Sequence, residues 1–309
     1  MKTSLLCCAT LLCLLNQAWA QEEAPLTPGL FTPSPVASKQ LGLRTAYHHH
    51  SNQDQASLLF TARWALLDDR LGLSLVLPGG WSRPSYADMR FSYGDVELGV
   101  MWNLYREPTE QMHFSLGLDL TAPTARIGEN KHIDALIAGR EFDDSNYGKR
   151  ASLTNQILVE VGLAPKLNIG VRPWLAFGMN LGTVSLQAAA GLQLLIMDRV
   201  EEALYFQDKR FGALAFFDLA APVRLNEQLD LVAEFHSLLA LGDLHGTGFA
   251  FTLGGRYRFE QGLEAAFGLQ LPLGVDGEGE DDDLMLGRAS HAILSRRQVS
   301  VVLDLAYRF

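Results

Sequence analysis

Beyond residue 20 the 309-residue chain contains no cysteine; Cys7, Cys8 and Cys13 are the full complement. Without thiols the remaining chain has no disulfide, no thiolate metal site and no Cys nucleophile. Charge is also scarce, at 19% of residues, where a soluble domain carries about 25%. Basic residues are the scarcer sign, 25 Lys and Arg against 35 Asp and Glu. That balance excludes the basic face a nucleic-acid binder needs. Long apolar runs are missing as well. After residue 20 none reaches the roughly 18 residues of a membrane helix. No Gly-x-Ser-x-Gly, phosphate-loop or dinucleotide motif occurs, so neither an enzyme nor a cofactor is expected. What the chain has is apolar residues, 48% of the total, and 28 Gly. That much apolar surface excludes a disordered chain.

The first twenty residues read as an export leader. Lys2 gives the positive start, 5–15 is the apolar run, and Ala18-Trp19-Ala20 fits the small-x-small cleavage rule. Cys13 invites a lipoprotein reading, but Leu12 before it is too large for that processing. Residues 21–40 carry Pro25, Pro28, Pro33 and Pro35 and are expected as an extended periplasmic lead-in. Residues 41–309 form the body of the protein.

The body has a period of two. Val299, Val301, Leu303, Leu305, Tyr307 and Phe309 alternate with Ser300, Val302, Asp304, Ala306 and Arg308. The same rhythm runs through 94–105, 112–121, 249–259 and 263–271. Strict alternation over eight to twelve residues is a strand signal. Such strands match the roughly 9–11 residues of a tilted membrane strand, not the soluble average of about 5–6. The other face holds Gly, Ala, Ser and Gln more than Lys and Glu. Tight turns at 68–70, 226–228 and 260–262 alternate with long connections near 78–93, 123–150, 198–210 and 273–297. Short turns at one end and long loops at the other mark a transmembrane barrel. The expected fold is an all-β, antiparallel, up-and-down transmembrane β-barrel. A coarse reading marks strands at 41–48, 57–67, 71–77, 94–105, 112–122, 151–164, 167–181, 183–197, 211–224, 229–240, 248–259, 263–272 and 298–309. That is an odd number where bacterial barrels have an even one. About twelve strands are expected, with fourteen the other even count; the conflict lies in 151–197.

Several segments resemble a known group. Gly94-Asp95-Val96-Glu97-Leu98-Gly99, Leu118-Asp119-Leu120-Thr121-Ala122-Pro123-Thr124 and Gly254-Gly255-Arg256-Tyr257-Arg258-Phe259 are similar to outer-membrane channels of the meta-pathway phenol-degradation type. Ala125 and Asn103 depart from that group's usual Gly and basic residue. The closing Ala306-Tyr307-Arg308-Phe309 resembles the C-terminal sorting signal of Gram-negative outer-membrane proteins, with Tyr307 and Phe309 as its apolar positions. The resemblance implies a porin-like passive channel or transporter for small solutes in the cell outer membrane. Its implied partners are outer-membrane lipid, lipopolysaccharide and the barrel-assembly machinery.

The candidate lumen lining follows from the alternation: Arg44, Arg63, Asp95, Glu97, Asp119, Glu160, Asp218, Arg224, Glu234, His236, Arg256, Arg258, Glu264 and Asp304. His113, Asn180, Gln187, Gln193, Gln270 and Arg308 share that face. A tight hairpin near 243–246 would place Glu234 opposite Arg256; the turn at 260–262 places Arg258 opposite Glu264. Such a lining selects solutes, or its ion pairs fill a closed barrel. The second case suits a structural component of an envelope-spanning export or motility complex, with periplasmic or lipoprotein partners. A third reading is a surface hydrolase using Asp243 and His245, with Asp143 and Asp144. Asp281, Asp282 and Asp283 are weak Ca²⁺ candidates in an acidic loop; Gly287 stands where an EF-hand needs its closing Glu. His48-His49-His50 reads as a loop between strands.

Overall fold

The computed structural model describes residues 26, 28–50, 53–84, 90–93, 95–107, 109, 111–122, 124, 169–196, 211–241, 247–276 and 299–309. The leader, Glu160, the 151–164 stretch, the acidic loop, Asp143, Asp144, Asp243 and His245 lie outside these residues. The strands are β1 (Gln40–His50), β2 (Gln53–Leu66), β3 (Leu71–Pro84), β4 (Arg90–Tyr93) and β5 (Val96–Arg106). They continue with β6 (Met112–Ala122), β7 (Ile169–Leu181), β8 (Val184–Ile196) and β9 (Phe211–Arg224). The set closes with β10 (Leu229–Leu241), β11 (Thr247–Arg258), β12 (Leu263–Asp276) and β13 (Val299–Arg308).

Apart from β4 and β5, which do not pair with each other, strands adjacent in sequence pair antiparallel, and β13 pairs with β1 to close the ring. Both β4 and β5 pair with β3, so together they make one wall strand broken before Val96. The result is a closed twelve-strand barrel. The ring closes without 151–164, because β6 pairs directly with β7. Three boundaries differ from expectation. Residues 48–50 continue β1 instead of forming a loop, and β2 begins at Gln53 after a two-residue connection. The loop expected at 78–93 contains the end of β3 and all of β4.

The two faces of the wall invert the soluble pattern. Leu98, Leu253, Phe267, Leu303 and Leu305 point outward and are more than half exposed. Among the described residues, seven of the nine largest side chains below 2% exposure are polar or charged: His113, Gln193, Gln270, Glu234, Thr252, Asp95 and Asp230. Water outside such a wall would leave its apolar surface wet, so the surrounding phase is hydrocarbon. Closure satisfies the backbone there, since the ring of described strands leaves no edge open to lipid. Outward Trp64, Trp102, Tyr105, Tyr257, Phe259, Tyr307 and Phe309 gather at the short-turn end, and Tyr47 and Trp81 toward the other. Aromatic belts at two interfaces are the expected anchors of a membrane barrel.

The tight turns are local chemistry. Leu181 pairs with Val184 across Gly182-Thr183, and Gly182 takes the φ of +83° that the first position of this hairpin turn needs. Inside, Trp174 of β7 lies flat against Gly117 of β6, where a Cβ would overlap its ring. Trp174 Nε1 donates to Asp119 Oδ2 at 2.9 Å, which locks the ring. Gly117→Val is therefore expected to destabilise the barrel by about 1–3 kcal/mol. The denaturant midpoint of protein folded into lipid vesicles checks this; an unchanged midpoint would show that the ring is free to move.

Candidate functional site in the lumen

The lumen is occupied by the protein's own N-terminal segment. The Pro-rich stretch expected as a lead-in outside the barrel differs here: its described part, 28–39, runs through the interior. Extended backbone inside a barrel must find partners for every amide. Pro28, Pro33 and Pro35 carry no N–H, which reduces the demand. The amides of Gly29–Thr32 are met by wall side chains. Gly29 N donates to Gln187 Oε1 at 3.1 Å. Leu30 N donates to Glu234 Oε1 at 2.6 Å, Phe31 N to Oε2 at 3.0 Å, and Thr32 N to Oε1 at 3.4 Å. Consecutive N–H groups converging on one anion form a backbone nest. Carbonyls are met in the same way. Arg256 donates to Pro28 O at 2.7 Å and Gly29 O at 2.8 Å, and Arg44 to Leu30 O at 2.8 Å. Asn103 Nδ2 and Ser115 Oγ both donate to Pro35 O.

Small inward residues make room for this segment. A Cβ at Gly254 would run into Phe267 O and Leu30, and one at Gly178 into Leu26 and Pro35, while one at Gly268 would meet Leu30 at contact distance. The Gly-rich inner face is thus a groove for close approach of chain to wall.

Glu234 is itself positioned. His236 Nε2 lies 3.4 Å from Glu234 Oε2, and His236 Nδ1 lies 3.0 Å from Asp218 Oδ1. Phe31 packs edge-on to the His236 ring at 6.0 Å. Two buried carboxylates thus share one imidazole, and one of them, Glu234, holds the nest. Glu234→Ala removes the acceptor of three amides, an effect of about 1.5–3 kcal/mol for hydrogen bonds to a charged group. The expected result is amide exchange at 30–32 faster by about tenfold to a hundredfold. Unchanged protection at those amides would show that Glu234 does not hold the segment.

A second cluster lies near the short-turn end. Arg258 pairs closely with Asp230, and Arg224 Nε lies 3.8 Å from Asp230 Oδ1. Glu264 is ion-paired with three guanidinium groups, with Arg308 Nε at 3.1 Å, Arg258 Nε at 3.8 Å and Arg256 Nε at 3.9 Å. Arg258 stands opposite Glu264, as the tight turn predicts. Arg256 stands opposite Asp230, not Glu234, which instead faces Thr252. The connection after β10 is longer than a tight hairpin, and the register shifts by four residues.

On the adjacent strands β1 and β13, Arg44 pairs with its register partner Asp304 at 2.8 Å. Asp95, Glu97 and Asp119 face inward from β5, its entry and β6, with Arg172 opposite Asp119 and over the Phe216 ring at 4.1 Å. A cavity of about 200 Å³ remains between these walls and the segment; Arg63, Asp95, Glu97, Asp119 and Arg172 line it. All the described lumen candidates therefore face inward. Tyr307 and Phe309 face outward and stack at 6.5 Å. Sequence reasoning missed Asp230, Arg172 and the segment itself. The signal for the segment was present: inward glycines on neighbouring strands, at 254 and 268, leave a trough that the wall cannot fill.

No family model matches the chain, and no curated protein does. Solved structures do. The COG4313 outer membrane channel from Pseudomonas putida F1 aligns over 92% of this chain and 100% of its own, with a TM-score of 0.57 and 13% identity. The NanC porin aligns over 87% and 100%, with a TM-score of 0.52 and 8% identity. The chain has the fold of an outer-membrane channel. At these identities the likeness shows the fold alone.

Proposed function

We propose that this protein is an outer-membrane channel that passes small solutes beside a resident N-terminal segment. The cavity of about 200 Å³ along that segment, lined by charged side chains from both walls, carries this reading. A packed structural barrel would fill such space. The fold shared with channels supports the same conclusion. The leader at 1–20, the aromatic close at Tyr307 and Phe309, lipopolysaccharide outside and the barrel-assembly machinery as catalyst of insertion belong to this proposal. Substrate flux is passive, because the lining offers fixed charges that hold and release a solute without chemical change.

Planar bilayers test it. Purified protein is expected to give discrete conductance steps at low voltage. A membrane that stays silent over many insertions would overturn the channel reading. Co-purifying periplasmic or lipoprotein partners would then favour the structural component instead.

A further inference from the structure

Deepening the channel reading, and resting on it, we infer that the lumen holds a binding site for a small anion at Arg63, beneath the N-terminal segment. A second cavity of about 90 Å³ lies between the segment and β1, β2, β12 and β13. Four guanidinium groups line it, those of Arg44, Arg63, Arg256 and Arg308, against two carboxylates, Glu264 and Asp304. The carboxylates are engaged: Asp304 with Arg44, and Glu264 with Arg308 and Arg256. Arg256 and Arg44 also spend donors on segment carbonyls. Among the described residues Arg63 makes no hydrogen bond or ion pair, and it is exposed to the lumen.

Arg63 also lines the larger cavity, so it stands where the two spaces meet. Four cations and two anions around one small space leave an excess of positive charge. In a confined, partly dehydrated lumen that excess repels itself unless a counter-ion joins it. A guanidinium offers planar paired donors suited to a carboxylate, phosphate or halide. The space of about 90 Å³ admits one such ion with little water. Solutes drawn to Arg63 are thus small inorganic anions or small organic carboxylates, and Arg63 marks the step between the two cavities.

Two measurements on the full barrel test this. In crystals soaked in sodium bromide, an anomalous peak is expected within about 3.5 Å of the Arg63 guanidinium, and it should vanish in Arg63→Gln. In planar bilayers under a KCl gradient, the wild type is expected to favour chloride over potassium by about threefold or more, and Arg63→Gln to approach no preference. A bromide map without density at Arg63 overturns the site, as does selectivity that Arg63→Gln leaves unchanged. Silent bilayers would overturn the channel reading instead, and the bromide peak alone would then decide whether the anion site exists.

Discussion

Deleting residues 26–38 is expected to raise single-channel conductance several-fold. Twelve strands about 4.8 Å apart and tilted by about 40° enclose a backbone circle of radius near 12 Å. Inward side chains take about half of that radius, and an extended chain takes most of what is left. On the proposed channel function, ions would then travel in the remaining cavity of about 200 Å³ beside the segment. Removing the segment leaves Glu234, Arg256, Arg44 and Gln187 facing water, which replaces the lost amide and carbonyl partners. The wall itself is untouched, since every strand keeps its pairing. Recordings of the deleted and full-length proteins at equal salt provide the comparison. Equal conductance would mean that the segment does not occupy the lumen in a membrane. A partial version of the same effect is expected from Glu234→Ala, whose freed segment would add slow flicker to the open level.

Leu303→Arg is expected to destabilise the folded barrel by about 2–4 kcal/mol, the cost of a cation on the lipid face near the bilayer midplane. Leu303 lies in the middle of β13, points outward and is 56% exposed. In water that position would accept Arg at little cost. In lipid the guanidinium must snorkel or thin the bilayer. Leu303→Ile, which keeps the apolar volume, is expected to cost less than about 1.5 kcal/mol. Reversible unfolding from lipid vesicles measures both. Equal stability of the Arg and Ile variants would show that this face is not in hydrocarbon, and the membrane assignment would fail with it.

The wall was legible because its determinants are local. Alternation along 263–271 or 299–309 needs only that one face meets lipid and the other does not. Within a tight turn, register is local too: 260–262 sets Arg258 against Glu264, and the structure keeps that pair. Across 242–246 the turn length no longer constrains pairing, and the expected Glu234–Arg256 pair gave way to Asp230–Arg256. The strand count settled at twelve for a non-local reason, the direct pairing of β6 with β7. The lumen candidates faced inward as the alternation required, yet their partners were not readable. Arg44 reaches Asp304, 260 positions away. Glu234 reaches Leu30, 204 positions away.

By itself the sequence determined a membrane-facing β wall with a polar, glycine-rich inner face, since a period of two and a choice of solvent are written into neighbouring residues. Only the tertiary structure decided what fills that inner space. Residues 28–39 have no periodicity and no strand partner of their own, so their place depends on carboxylates and guanidinium groups that meet only once the ring has closed.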